Sequence, residues 1–233
     1  GPLAGDGAGG AMVTFLRTPY DNSTGNPHPW MRVYVVRVEA NGAVAAAPTA
    51  VADVVSPLAN YQGPQEIVYD GAGNVIVAWV DMRHKEEVDN PTAYETDLYA
   101  QKVRVSDGVR LWDAAGQPLC TAVAYQDGLR LMPGVDNSAV AVWADHAYDM
   151  PSGPYDCPFI SANRIDASGA TQWGTASSSG VRVMDVSGAM YSPRGLGAMR
   201  ACSDGAGGVY VAWPDMRNSV IKYSTGEVFY TEE

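Results

Sequence analysis

The chain has 233 residues, 46% of them apolar and 18% charged, with a net charge of -11 at pH 7. The apolar share supports a real core. The acidic balance argues against nucleic acid and anionic membranes as partners, since both select clustered Lys and Arg, and leaves neutral ligands, cations and proteins open.

Apolar runs are short and interrupted, so no membrane insertion is expected. The 25 Gly and 15 Pro suit an all-β chain with many turns. Gly1-Pro2 reads as the scar of a protease cleavage, so the native N-terminus and any signal peptide are expected to be missing. The sequon Asn22-Ser23-Thr24 is taken as chance. Cys120, Cys157 and Cys202 show no C-x-x-C spacing, which gives a zinc or redox reading little support. Three buried thiols are expected, with one disulfide and a free thiol as the alternative.

In chain order, one stretch organises the rest. Asp70-Gly71-Ala72-Gly73-Asn74 opens a turn, and Val75-Ile76-Val77-Ala78-Trp79-Val80-Asp81-Met82-Arg83 follows it. The pattern recurs around Phe15, Trp143 and Trp213. Phe15 to Trp79 and Trp79 to Trp143 are equal steps, and Trp143 to Trp213 is slightly longer. Each unit reads as four strands. Strand A is clearest at 65–69, with counterparts at 130–132 and 199–202; the first unit is expected to lack it. An Asp-Gly turn leads to strand B, where Val75, Val77 and Trp79 point one way and Ile76, Ala78 and Val80 the other. Both sets are apolar, which means burial on both faces. Strand C runs at 31–38, 97–104 and 159–166, and 227–230 begins a fourth. A tight turn leads to strand D, which carries Leu111-Trp112 or Gln172-Trp173 and ends near Cys120 or Met184. The fourth unit is expected to stop before strand D.

Four-stranded units in tandem, apolar on both faces, predict an all-β chain of β-propeller blades. The expected region is single, 1–233, with blades at about 5–55, 64–122, 129–186 and 197–233. The first and last are expected to be incomplete, in a partial propeller or a fragment of a larger one. Further blades or a second chain would then close the ring.

The consensus Asp-Gly-x-Gly-Gly-x-x-Val-Ala-Trp-x-Asp-x-Arg, followed by a strand such as Tyr99-Ala100-Gln101-Lys102-Val103, resembles a repeat of secreted bacterial β-propellers. The likeness spans almost the whole chain. It implies an extracellular or cell-surface protein, and a blade type that serves mostly for binding or spacing. The third unit departs from it: Gly134-Val135-Asp136-Asn137 replaces the turn, and Asp145-His146-Ala147 replaces Asp-x-Arg.

Asp81 with Arg83, and Asp215 with Arg217, share a strand face at i and i+2, so each pair reads as a salt bridge; the alternative sets the arginines on a ligand carboxylate or phosphate. Asp6, Asp70 and Asp204 read as turn-forming acceptors rather than calcium ligands. The long B-to-C and D-to-A connections fall on one face, and loops on a rigid scaffold concentrate function. The candidate binding residues are therefore Tyr20, His28, Trp30, His84, Tyr94, His146, Tyr148, Tyr155, Arg217 and Tyr223. His and aromatic side chains on such loops suit glycans or protein partners.

No cofactor or metal is expected. Catalysis is not favoured: there is no Ser-x-Asp-x-Gly-x-Thr-Trp box, and nothing singles out a pair among Asp89, Asp145, Asp149, Asp156 and Asp215. The leading expectation is a non-catalytic binding or adhesion module presenting its long-loop face to a glycan or protein. A propeller glycosidase or lyase, and a structural scaffold, are the alternatives.

Overall fold

The computed structural model describes residues 1–18, 20–21, 26–27, 31–45, 47–52, 62–83, 96–122, 125–146, 159–178, 180–184, 199–213, 220–224 and 227–231. They form an all-β chain of antiparallel sheets. The first sheet contains β1 (Leu3–Gly5), β2 (Ala11–Arg17), β5 (Arg32–Val38) and β6 (Thr49–Ala50), in that order. The second contains β7 (Gln62–Tyr69), β8 (Asn74–Asp81), β9 (Asp97–Arg104) and β10 (Gln117–Cys120). The third contains β11 (Tyr125–Pro133), β12 (Ala139–His146), β13 (Phe159–Ile165) and β14 (Val181–Met184). A fourth pair joins β15 (Arg200–Ser203) to β16 (Val209–Ala212). Two small hairpins complete the described strands: β3 (Tyr20–Asp21) with β4 (Asn26–Pro27), and β17 (Val220–Ser224) with β18 (Glu227–Thr231).

The turns explain why strands form where they do. Asp70 Oδ1 accepts the N–H groups of Ala72 and Asn74 at 2.8 and 3.0 Å. Asp6 and Asp204 do the same in their own turns. This is the turn-forming role the sequence predicts. Gly71 and Gly73 take φ of 83° and 84°, a region open to glycine at little cost. The third sheet lacks these glycines, and Asp136 and Asn137 carry the left-handed turn themselves, at φ of 55° and 59°. Asp and Asn are the residue types that tolerate this best.

The sheets stack face to face in chain order. Val75, Val77 and Trp79 pack toward Met12, Val33 and Val35 of the first sheet. Ile76, Ala78 and Val80 pack toward Leu131, Ala141 and Trp143 of the third. Val140, Val142 and Ala144 then meet Met199, Val209 and Val211 of the fourth pair. The doubly apolar β8 is thus buried on both sides, as its composition requires. The first strands of successive sheets lie against one another, β1 on β7, β7 on β11 and β11 on β15. Across that seam Glu66 meets Arg130 at 3.4 Å. Burial pushes the Glu66 carboxyl above its ordinary range, against the pull of Arg130.

Three expectations need correction. The first unit has its initial strand, because β1 pairs with β2 from Leu3↔Val13 to Gly5↔Ala11. An antiparallel ladder needs only the few residues before the turn, and Pro2 O extends it by accepting Thr14 N. Second, β18 pairs with β17 and not, among the described strands, with β16. Third, Trp112 and Trp173 precede the last strands of their sheets: β10 and β14 begin after Gly116 and Gly180. Buried side-chain amides hold both bends, with Gln101 Oε1 accepting Trp112 N and Asn163 Oδ1 accepting Trp173 N.

Cys120 is buried and Cys202 exposed, so the expectation of three buried thiols fails at Cys202. Cys157 lies outside the described residues. No described helix is long and apolar enough to cross a membrane. The described sheets form no closed barrel.

Candidate functional site

Of the ten predicted binding residues, His146 is the one described with its side chain. Tyr20 and Tyr223 lie in β3 and β17, their side chains outside the description. His28, Trp30, His84, Tyr94, Tyr148, Tyr155 and Arg217 lie outside the described residues. Among the carboxylates considered for catalysis, Asp145 is described.

These residues direct attention to one rim, where β8 and β12 end and β7, β9, β11 and β13 begin. Antiparallel pairing brings the ends together. Gln62, Asp81 and Asp97 stand side by side in the second sheet. Gln126, Asp145 and Phe159 do so in the third.

In the second sheet the rim is locked. Asp81 is 1% exposed. Its Oδ2 accepts the Trp79 indole N–H at 2.7 Å and the Arg83 guanidinium at 2.6 Å, and its Oδ1 accepts Arg83 N at 2.9 Å. Arg83 also donates to Ala115 O at 2.8 Å and lies over the Tyr99 ring, 3.6 Å from its centroid. Burial pushes the Tyr99 phenol up to about 12; Arg83 pulls the other way, while Asp97 and Asp81 add to the rise. The predicted Asp81–Arg83 salt bridge is therefore real and structural. The guanidinium is bound to a carboxylate, a carbonyl and a ring, and its remaining unpaired Nε–H is buried.

In the third sheet the lock is absent. Asp145, 4% exposed, accepts Gln126 Nε2 at 3.3 Å. The Trp143 indole N–H and Gln126 Oε1 are buried without a hydrogen-bond partner. Beside them His146 Nε2 lies 3.2 Å from Asp127 Oδ1, and its ring meets Tyr125 edge-on with centroids 5.2 Å apart. His146 and Tyr125 are half-buried. Arg182 covers the Phe159 ring at 3.6 Å. This end therefore combines aromatic faces, an imidazole and two carboxylates, the mixture that suits recognition.

Two elements escaped the sequence reading. Gln62 and Gln126 tie neighbouring sheets together. Gln62 Oε1 accepts Val33 N at 2.8 Å, while Gln126 N donates to Thr96 Oγ1 at 2.7 Å. Their separation equals the step between Trp79 and Trp143, a signal available in the sequence. The other is a cation near the end of β5, β9 and β13. Arg37 pairs with Asp6 and Lys102 with Asp70, each at 2.8 Å. Arg164 binds Ser138 Oγ at 3.0 Å and lies 3.9 Å from the exposed Asp136 carboxylate. Burial resists ionisation of Asp70, but Lys102, Asn74 and the turn N–H groups outweigh it and hold the carboxyl below its ordinary range. Among the described residues no three metal-ligating side chains converge.

The chain matches no protein-family model and no curated protein.

Proposed function

We propose that this chain is a β-propeller region of a secreted or cell-surface protein, and that it binds a glycan or protein partner through the rim described above. The propeller reading draws on chain-order stacking of four-stranded sheets whose first strands lie together. Leu3 and Tyr210 are 65% and 69% exposed on the first sheet and the fourth pair. Further sheets of the same repeat, or a second chain, would cover those faces. Small-angle scattering tests this: a straight stack of sheets, with no curvature about a common axis, would count against a propeller.

The observation that carries the binding reading is the Tyr125–His146–Asp127 cluster. It is polar and aromatic, partly exposed, and lies at the same end of the third sheet as Asp145, the counterpart of the ion-paired Asp81. The test is a glycan array, together with immobilised candidate surface proteins, probed with the labelled chain. His146→Ala and Asp127→Ala should each cut retention at least about tenfold, the scale of a hot-spot contact. Asp107→Ala, in the exposed turn at the opposite end of the second sheet, should leave it unchanged. Equal retention by all three variants would remove the rim from consideration.

A further inference from the structure

We infer that the end of the third sheet is a receptor for a guanidinium group, the side chain of an arginine on a protein partner. The inference rests on the rim being a binding face and selects a protein over a glycan.

The second sheet serves as the template. There Asp81 accepts the Arg83 guanidinium, the Trp79 indole and the Gln62 amide on the same oxygen, and the Tyr99 ring lies beneath the guanidinium. The third sheet keeps three of these groups, Trp143, Asp145 and Gln126, all displaced along the chain by the same repeat step. It lacks the other two. Cross-strand pairing sets Tyr99 opposite Trp79 but Ser161 opposite Trp143. In the sequence Ala147 follows Asp145 at the spacing at which Arg83 follows Asp81. Among the described residues neither a cation on Asp145 nor a ring opposite Trp143 takes their place, while the anion remains.

The leftover hydrogen-bonding groups specify the chemistry. Gln126 Oε1 is a buried acceptor with no partner, and Asp145 Oδ2 accepts none of the described hydrogen bonds. Unused acceptors call for a group that only donates, and guanidinium offers five N–H donors and no acceptor. Trp143 Nε1 is a buried donor without a partner. The indole–carboxylate bond made by Trp79 and Asp81 shows how Asp145 would supply its acceptor once the cation holds it. Leaving such groups unpaired costs stability, so an occupant that pairs the two acceptors and draws Asp145 to the indole is favoured. The other charged groups nearby are Arg182, stacked on Phe159, and the His146–Asp127 pair. None of the described ion pairs takes up Asp145.

The probe is L-argininamide, with L-lysinamide as the point-charge control. In the wild-type chain, argininamide at millimolar concentration should move the Trp143 indole N–H resonance in a nitrogen–proton correlation spectrum, and lysinamide should not. The melting temperature should rise on the order of 2–4 °C near saturation. The Ala147→Arg/Ser161→Tyr double variant supplies both missing groups in cis. It should melt higher without ligand and lose the response. Asp145→Asn should lose the response as well. An unmoved wild-type indole, or equal shifts with lysinamide, overturns the inference without requiring any variant to fold. The rim reading is judged separately by His146 and Asp127. Retention lost in those variants but kept in Asp145→Asn would leave that reading standing and remove the guanidinium seat.

Discussion

The second and third sheets are two renderings of one design. Both have a buried Trp facing the preceding sheet, a Gln that ties the sheets together, and a strand-end Asp. The second closes both of its ends with ion pairs, Asp70–Lys102 at the turn and Asp81–Arg83 at the rim. The third closes its turn with Ser138 and Arg164, and leaves its rim with an unpartnered indole and amide oxygen. Stacking is intact in both, so the core does not depend on the charged tail of the motif. What the tail controls is whether the rim is filled by the chain itself.

Removing the lock should turn the second sheet into the third. Arg83→Ala leaves Asp81 buried without its cation and should cost about 3 kcal/mol, the usual scale for halving a buried pair. Urea denaturation measures it. A loss under about 0.5 kcal/mol, the range of an ordinary surface substitution, would mean that Asp81 is held by Trp79 and Gln62 alone. The contrast with the third sheet would then dissolve.

The turn end gives the next largest effect. Asp70→Asn removes the partner of a buried Lys102 and should cost about 2 kcal/mol at pH 7. Because the native pKa of Asp70 is lowered, its contribution is complete above the ordinary carboxylate range near ~4. It fades as pH falls through the lowered value. The stability gap between wild type and Asp70→Asn should therefore shrink below about pH 4. A gap that stays constant through strong acid would show that the ion pair is not its source.

The finest discrimination comes from the two tryptophans. Trp79→Phe and Trp143→Phe remove similar apolar volume, but the first also breaks the bond to Asp81 while the second removes an unpaired N–H. Trp79→Phe should be worse by about 1 kcal/mol, the net value of a buried hydrogen bond. Equal losses would mean that Trp143 is satisfied in solution by water, and would weaken the case for a vacant seat.

Much of the fold was legible because it is written locally. Alternation in Val75 to Val80 told that both faces are covered, and Asp-Gly clusters told where hairpins turn. The site was less so. His146 was readable as a loop-base residue, but its company was not. Tyr125, Gln126 and Asp127 come from the start of β11, the strand before, and only pairing register sets them opposite His146, Asp145 and Ala144.

The sequence by itself determined most of the strands, their order within a sheet and the two buried faces of β8 and β12. These follow from side-chain alternation and from turn residues whose backbone preferences are intrinsic. Tertiary structure decided which charges meet. Asp6 finds Arg37, Asp70 finds Lys102, and Asp145 finds no arginine among the described residues. Partners so far apart in the chain are chosen by register and stacking, and no local preference encodes them.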